Sequence, residues 1–283
     1  MRILITGENG YISNYLASYL KYKNKNFEIV KKSIRIESID DYDLTNFDIL
    51  IHPAAIVHKK ESMLSESIYF QVNTRLTELL ALKAKSSGVK QFIFFSTMAV
   101  YGNVEGEINH NTINMPTSLY GKSKLAAEKI LSTLQSDDFH VAIVRPPMVY
   151  GPQCPGNYQL LSKLSRITPI FPNIENTRSM IFINNLTEFI NQIIYNSEVG
   201  IFHPQDKYFV KTTEMVNEIA SYHQKRIIFN SLLGKVLNGI LGNKTIYKKV
   251  FGDLYYAKEL STYKDNSYQK CNLKEAISIS EKE

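Results

Sequence analysis

Arg2-Ile3-Leu4-Ile5-Thr6-Gly7-Glu8-Asn9-Gly10-Tyr11-Ile12-Ser13 reads as an apolar strand, a glycine-bearing turn and the start of a helix. The strand Arg2–Thr6 runs into Gly7 and Gly10. The helix expected over Gly10–Tyr22 carries Ile12, Leu16, Tyr19 and Leu20 on one face. Glycines in such a turn let the backbone approach a pyrophosphate, whose charge is met by the amides of the helix N-terminus. A lone Gly-x-x-Gly is weak evidence, because any tight strand-to-helix turn can use it. Ser13, at the third position of the spacing, is small but is not glycine. The strand–turn–helix context is what gives the turn its weight.

Outward from this turn the same alternation continues. Phe27–Lys31 and Asp48–Ile51 read as strands, and Ser67–Ser86 as a long helix with Leu76, Leu79, Leu80 and Leu82, stopped by Gly88. Strand Gln91–Ser96, helix Leu119–Leu134 and strand Phe139–Val144 follow. Near-continuous apolar strands alternating with helices imply an α/β fold whose parallel sheet is covered on both faces. Between Phe27 and Asp48 there is too little chain for two strands and a full crossover helix, so a trimmed sheet edge is expected. After Arg145 the prolines and glycines 146, 147, 151, 152, 155 and 156 mark loops and a change of role. Beyond them, strand Met180–Ile183, helix Leu186–Tyr195, strand Tyr208–Val210, helix Thr213–Ser221 and the amphipathic helix Ser231–Leu241 are expected.

Composition narrows the function classes. The 283 residues are 44% hydrophobic and 21% charged, and Lys plus Arg exceed Asp plus Glu by 33 − 27 = +6. A core of this size needs no metal or disulfide, and two cysteines, Cys154 and Cys271, suggest no disulfide framework. No apolar run reaches the roughly 18 residues of a membrane span. The strand at Arg2 stands where a signal peptide would need its apolar region, so a cytoplasmic protein is expected. The excess lysines are scattered, without zinc-finger spacing or an aromatic ladder, which argues against nucleic acid. His52, His110, His140, His203 and His223 show no metal-ligand spacing.

Tyr120-Gly121-Lys122-Ser123-Lys124 narrows the reading further. Tyr120 and Lys124 are four apart on a helix, hence on one face. An ammonium beside a phenol is expected to lower the phenol's pKa from about 10 and suit it to proton transfer. Upstream, Phe95-Ser96-Thr97-Met98-Ala99-Val100-Tyr101-Gly102 ends a strand and presents a hydroxyl at the sheet's C-terminal edge, where ligands bind in such sheets. A glycine turn, a hydroxyl and a Tyr/Lys pair in this order are hard to obtain by chance.

With Gly7–Ser13, His52-Pro53-Ala54-Ala55, Asn73, Ser96–Gly102, Tyr120/Lys124 and Arg145-Pro146-Pro147-Met148-Val149-Tyr150-Gly151-Pro152, the chain resembles the extended short-chain dehydrogenase/reductases of the NAD-dependent epimerase/dehydratase family. The resemblance covers nearly the whole chain. It implies a Rossmann-like doubly wound parallel sheet with a smaller α/β substrate-binding lobe. The dinucleotide-binding domain would span 1–150 and the lobe 151–283, with about 184–204 returning to the first domain. By the same resemblance Thr97, Tyr120 and Lys124 would be catalytic, Tyr120 as acid/base and Lys124 as ribose anchor. Gly7, Asn9, Gly10, Tyr11, Ile12, Ala54, Ala55, Asn73, Tyr120, Lys124, Pro147 and Val149 would contact a nicotinamide cofactor. Thr97, Met98, Asn157 and Arg178 would contact substrate, with Arg178 gripping a sugar-nucleotide diphosphate as a planar guanidinium can. The family's usual aspartate in that segment is Asn185 here, which puts any pairing by that acid in doubt.

Within the family, Ala54–His58, Arg145–Asn157 and Lys249–Leu254 resemble short bacterial capsule and O-antigen enzymes. That points to reduction of a UDP-2-acetamido-2,6-dideoxyhexos-4-ulose to UDP-N-acetylfucosamine or UDP-N-acetylquinovosamine. After the strand Glu28-Ile29-Val30 stand Lys31, Lys32 and Arg35 rather than the acid that holds an NAD ribose, so NADP(H) is preferred over NAD(H). A UDP-sugar 4-epimerase with tightly held NAD is the main alternative. Dehydration is disfavoured because Met98-Ala99 follow Thr97 where a dehydratase has an Asp-Glu pair. A non-enzymatic NADP sensor is a remote alternative, since such proteins typically lose the Tyr/Lys pair. His58 could face the site, although a lone histidine is more often structural. Ser231–Val250, apolar with several lysines, either packs on the lobe or rests on a membrane surface, and the former is favoured. A homodimer is compatible with this reading.

Overall fold

The structure, a computed structural model, describes residues 1–56 and 66–282. His58, singled out above, lies outside the described residues. The chain divides into two compact units, Met1–Asn103 with Thr112–Pro146 and Leu186–Pro204, and Val104–Asn111 with Pro147–Asn185 and Gln205–Glu283.

In the first unit β1 (Arg2–Thr6), β2 (Glu28–Lys32), β3 (Ile49–His52), β4 (Gln91–Phe95), β6 (His140–Val144) and β10 (Gly200–Phe202) form one parallel sheet in the order β10-β6-β4-β3-β1-β2. The chain runs out from β1 to β2, then returns to β3 and beyond. The switch point therefore lies between β1 and β3, where ligands bind in open α/β sheets. Both sheet faces are buried, as the continuous apolar strands require. Leu4, Leu50, Phe92, Phe94, Val141 and Ile143 join one core cluster. The alternate residues Ile3, Ile5, Ile49, Ile51, Ile93 and Ala142 are equally buried on the other face.

Helix α2 (Glu66–Phe70) continues through a π-helical turn, Gln71–Arg75, into α3 (Leu76–Ser86), which packs with α4 (Leu119–Leu134) over the first face. On the other layer α1 (Tyr11–Lys23) meets α6 (Ile183–Tyr195) through Tyr19 donating to Glu188 and Asn24 Nδ2 donating to Asn191 Oδ1 at 2.9 Å. The shortened edge is present: only a 3₁₀ segment, Ile36–Asp41, links β2 to β3, and β2 is the edge strand.

The second unit contains three two-stranded parallel pairs. They join β5 (Gly106–Ile108) to β12 (Leu254–Tyr256), β7 (Met148–Tyr150) to β9 (Met180–Phe182), and β8 (Ile170–Pro172) to β11 (Ile228–Asn230). Among its helices, α5 (Asn157–Ile167), α7 (Thr212–Tyr222) and α11 (Leu273–Ser280) pack together. Glu281 ties them by accepting hydrogen bonds from Tyr158 (2.6 Å) and Ser162 (2.8 Å) and by facing His223 at 2.9 Å. Helices α8 (Ser231–Leu241), α9 (Thr245–Phe251) and α10 (Lys258–Ser261) complete the unit.

The strand expected over Tyr208–Val210 does not form. Only Val210 is bridged, to Arg178, and Tyr208 is exposed. Asn185 has exchanged the family's charge for a full set of hydrogen bonds. It donates to Asp206 Oδ1 at 2.7 Å and accepts from the amides of Lys270 and Cys271.

Candidate active site

The glycine turn lies at the switch point. Gly7 has φ +74°, a left-handed conformation that suits glycine, and a Cβ there would press on Ala54 Cβ at 3.2 Å. A Cβ on Gly10 would meet Ser13 Oγ at 3.0 Å and Gly7 O at 3.1 Å. Ser13 is buried and donates to Thr6 O at 2.8 Å, so a small hydroxyl does the packing work of the third glycine. Asn9 and Gly10 are exposed and Tyr11 and Ile12 half-buried at the start of α1. Bare backbone backed by Ala54 and Ala55, in front of a helix N-terminus, fits a dinucleotide pyrophosphate.

Lys31 and Lys32 end β2, pairing with Ile5 and Thr6, and stand beside this turn. Gly7 N donates to Lys32 O at 2.9 Å, and Lys31 Nζ reaches Asn14 Oδ1 (2.6 Å) and Glu8 O (3.1 Å). Lys32 and Arg35 are exposed. Lys31 therefore braces the turn, while its two neighbours present charge to solvent.

Asn73 sits in the π-helical turn and is fully buried. Its side chain accepts from Ile56 N (2.9 Å) and donates to Ile56 O (3.2 Å) and Ser123 Oγ (3.0 Å). It thus fastens the loop after β3 to α4, one residue before Lys124. A π turn displaces one residue from the helical ladder, and such turns are frequent at functional sites.

Two caps and one glycine bring Thr97, Tyr120 and Lys124 together. Thr97 Oγ1 accepts from Ala99 N at 3.1 Å and starts a 3₁₀ turn, Met98–Tyr101. Ser118 Oγ accepts from Gly121 N at 3.1 Å and caps α4. A Cβ on Gly121 would meet Ala99 O at 2.6 Å, so only glycine lets α4 approach the 97–101 turn this closely. The approach leaves Tyr120 half-buried with the Thr97 side chain hydrogen-bonded to it, while Met98 is buried behind.

Lys124 is buried on the same helix face, but its ammonium is aimed at the sheet. Nζ donates to Phe95 O at 2.7 Å and lies 4.4 Å from the Phe94 ring centroid. Burial pulls its pKa down to about 7, and Glu128, one turn further along α4, pushes it back up. The expected lowering of the Tyr120 pKa is not seen. Burial pushes the phenol up to about 12, against the smaller lowering by its hydrogen bond from Thr97. The reason is geometric, since the lysine's charge is spent on the Phe95 carbonyl and the Phe94 ring.

A buried ion pair behind this cluster has no role in the sequence reading. Glu128 and Arg145 are both buried and doubly bonded, Nη2 to Oε2 at 2.5 Å and Nε to Oε1 at 3.0 Å. Ser96 donates to Glu128, and Arg145 Nη1 donates to Tyr101 Oη at 2.7 Å, which in turn meets His203 Nε2 at 2.8 Å. The spacing Tyr120, Lys124, Glu128 on one helix face was the available signal for Glu128. His52, read in the sequence only as part of a motif and as lacking metal spacing, is a further structural group of the site. Burial lowers its pKa to about 3, so the ring is neutral between Thr6 Oγ1 (2.6 Å from Nδ1) and Thr77 Oγ1 (3.0 Å from Nε2). Thr77 donates its own hydrogen to Asn73 O at 2.9 Å, which leaves Nε2 as the ring donor and Nδ1 as the acceptor from Thr6.

The remaining candidates belong to the second unit. Pro147 precedes β7, in which Val149 pairs with Ile181 of β9. Asn157 is exposed and opens α5 after Gly156, whose φ is +91°. Arg178 is buried, with Nη1 donating to Gly252 O at 2.6 Å and Lys248 O at 3.4 Å at the end of α9. Burial lowers its pKa, and the nearby Asp253 charge only partly offsets that cost. Such a guanidinium gains from an anion.

The model of the "NAD dependent epimerase/dehydratase family" matches residues 3–190. The chain is 34% identical over 250 residues to a UDP-glucose 4-epimerase of Vibrio cholerae, covering 77% of this chain and 74% of that one. It is 28% identical over 201 residues to an N-acetyl-alpha-D-glucosaminyl-diphospho-ditrans,octacis-undecaprenol 4-epimerase of Escherichia coli O157:H7, covering 69% of this chain and 60% of that relative. The crystal structure of UDP-glucuronic acid 4-epimerase from Bacillus cereus in complex with NAD superposes with a TM-score of 0.76 at 19% identity, over 99% and 97% of the two chains, a likeness of fold. The Vibrio relative and the matched family region together establish that this chain belongs to the NAD-dependent epimerase/dehydratase family.

Proposed function

We propose that the chain reduces the C4 ketone of a UDP-2-acetamido-2,6-dideoxyhexos-4-ulose with NADPH, giving UDP-N-acetylfucosamine or UDP-N-acetylquinovosamine for a surface polysaccharide. The observation that carries this reading is the Thr97–Tyr120–Lys124 cluster at the C-terminal edge of β4, two strands from the glycine turn of β1. A nicotinamide bound along that edge would supply the hydride. With its pKa near 12, Tyr120 holds its proton at neutral pH and is suited to give it to a carbonyl oxygen that gains charge. Thr97, already hydrogen-bonded to the phenol, would bond the same oxygen. Lys124, poised near 7, would take a cofactor ribose hydroxyl. Lys32, exposed beside the glycine turn, and the exposed Arg35 support a 2′-phosphate and hence NADP(H). Arg178 and Asn157 would receive the UDP diphosphate. Redox chemistry on a nucleotide sugar is the shared ground with the family.

A second reading, a UDP-sugar 4-epimerase, is favoured by the 34% identity to the Vibrio cholerae UDP-glucose 4-epimerase. Incubation with candidate UDP-4-keto sugars and NADPH, followed by NMR of the product, separates the two. One NADPH consumed per product supports reduction. Interconversion of UDP-hexoses without net cofactor turnover supports epimerisation and overturns the first reading.

A further inference from the structure

The second unit carries an apolar stripe on chain segments whose own charged residues are all basic. Helix α8 packs on the β8 side through a single buried residue, Gly234, where a Cβ would strike Asn173 O at 2.3 Å. Asn173 also holds the start of the helix, donating its backbone amide to Asn230 O (3.0 Å) and its side-chain Nδ2 to Ser231 Oγ (3.1 Å). With that side fixed, Leu232, Val236 and Ile240 recur every fourth residue on the outer side, and Leu232 and Ile240 are 72% and 69% exposed. The stripe does not stop at the helix. Ile228 on β11, 66% exposed, is in register with Ile170 on β8, also exposed.

Residues 157–174 and 224–252, which supply α5, β8, β11, α8 and α9, contain eight Lys and Arg and no Asp or Glu. The rest of the chain therefore carries a formal charge of 6 − 8 = −2. Of the eight, Lys248 is paired with Glu105, and Lys225 reaches the Arg166 carbonyl, which brings the two basic segments together. Lys163, Arg226, Lys235, Lys244 and Lys249 are exposed.

We infer that this face docks on an anionic phospholipid bilayer, with the Leu232–Val236–Ile240 stripe and Ile228 entering the headgroup boundary and the basic residues lying over anionic headgroups. An apolar helix face rimmed by lysines is the pattern of an interfacial helix. A second copy of the chain is a poor occupant, because apposing two such faces would bring the same positive charge together. This placement rests on the second unit alone and is independent of the reaction proposed above.

Cosedimentation of the full chain with phosphatidylcholine vesicles, and with vesicles in which a quarter of the lipid is phosphatidylglycerol, tests it. Binding to the anionic vesicles at least tenfold tighter than to the neutral ones, and weakened by salt, is expected, since each basic residue near an anionic surface contributes roughly fivefold. The double variant Leu232→Ser, Ile240→Ser changes only side chains already in solvent, so its melting temperature should hold while anionic binding drops tenfold or more. Arg226→Gln with Lys235→Gln should weaken anionic binding and steepen none of the salt dependence. Absence of binding to either vesicle, or equal binding by wild type and the serine variant, overturns the inference. So does a stable oligomer that ignores vesicles and falls to monomer in the serine variant, which would assign the stripe to a second copy.

Discussion

Arg145 and Glu128 form a doubly hydrogen-bonded ion pair that is almost wholly shut off from water, at 2.5 and 3.0 Å. Both ends are held further, Glu128 by Ser96 and Arg145 by Tyr101 and by Asn114 Oδ1 at 3.2 Å. The pair clamps the end of β6 to α4 and, through Ser96, to the segment that bears Thr97. Removing one partner leaves a buried charge uncompensated, which costs about 3–5 kcal/mol. Glu128→Leu and Arg145→Met should each lose that much in urea denaturation, and the double variant should lose less than the sum. A loss below about 1 kcal/mol in either single variant, the scale of a surface pair, would contradict the clamp.

Tyr120→Phe removes the proposed proton donor and keeps the ring in its pocket. Turnover should fall by about 10²–10⁴-fold with cofactor affinity and melting temperature unchanged. Steady-state kinetics beside a cofactor titration checks this, and wild-type turnover would place the chemistry on another group.

Lys32 and Arg35 present charge to solvent, whereas Lys31 braces the glycine turn through Asn14 and Glu8. Lys32→Ala with Arg35→Ala should weaken NADPH far more than NADH, because each charge-assisted hydrogen bond contributes about 1.5–3 kcal/mol. Lys31→Ala should weaken both cofactors alike by loosening the turn. Fluorescence titration of each variant with each cofactor measures the difference, and equal losses in the double variant would argue for NAD(H).

Arg178→Ala should reduce UDP affinity by about tenfold or more, since about 1.4 kcal/mol is a factor of ten and a guanidinium–phosphate bond exceeds it. NADPH affinity should not move. Because Arg178 also holds the Gly252 carbonyl, Arg178→Lys, which keeps the charge but not the planar fork, is the companion variant and should recover part of the loss. Calorimetry with UDP alone isolates the contact, and unchanged affinity in Arg178→Ala at intact melting temperature would put the diphosphate elsewhere.

His52 makes stability depend on acid. Its pKa falls from the ordinary 6.5 to about 3 on burial, so the unfolded chain binds the proton first. Stability from the neutral ring is complete above about pH 6.5 and is lost progressively as pH falls toward 3. His52→Gln should therefore be less stable than wild type at pH 8 and show a flatter decline of melting temperature between pH 6.5 and 4. Parallel slopes would assign the acid sensitivity to other groups.

The sheet was legible because its strands are long enough to show an apolar pattern and alternate with helices that have start and stop residues. Helices Leu119–Leu134 and Ser231–Leu241 begin and end where the apolar spacing puts them. The three-residue strands Gly106–Ile108, Ile170–Pro172, Ile228–Asn230 and Leu254–Tyr256 were not legible. Each is defined by a partner far along the chain, which no local pattern shows. The same limit produced the unformed strand at Tyr208–Val210, where apolar residues are local but only Val210 finds a partner.

Among the candidate site residues, the sequence by itself determined the glycine turn, the Tyr120/Lys124 spacing and the basic end of the second strand. These are local features, and the periods of helix and strand place them. Only the tertiary structure decided what each group's charge is spent on. It turned Lys124 toward the Phe95 carbonyl, raised the Tyr120 phenol, kept His52 neutral, and joined Ser96, Glu128 and Arg145 into one buried network. Desolvation and hydrogen-bond geometry depend on which distant residues close around a side chain, and no spacing along the chain encodes that enclosure.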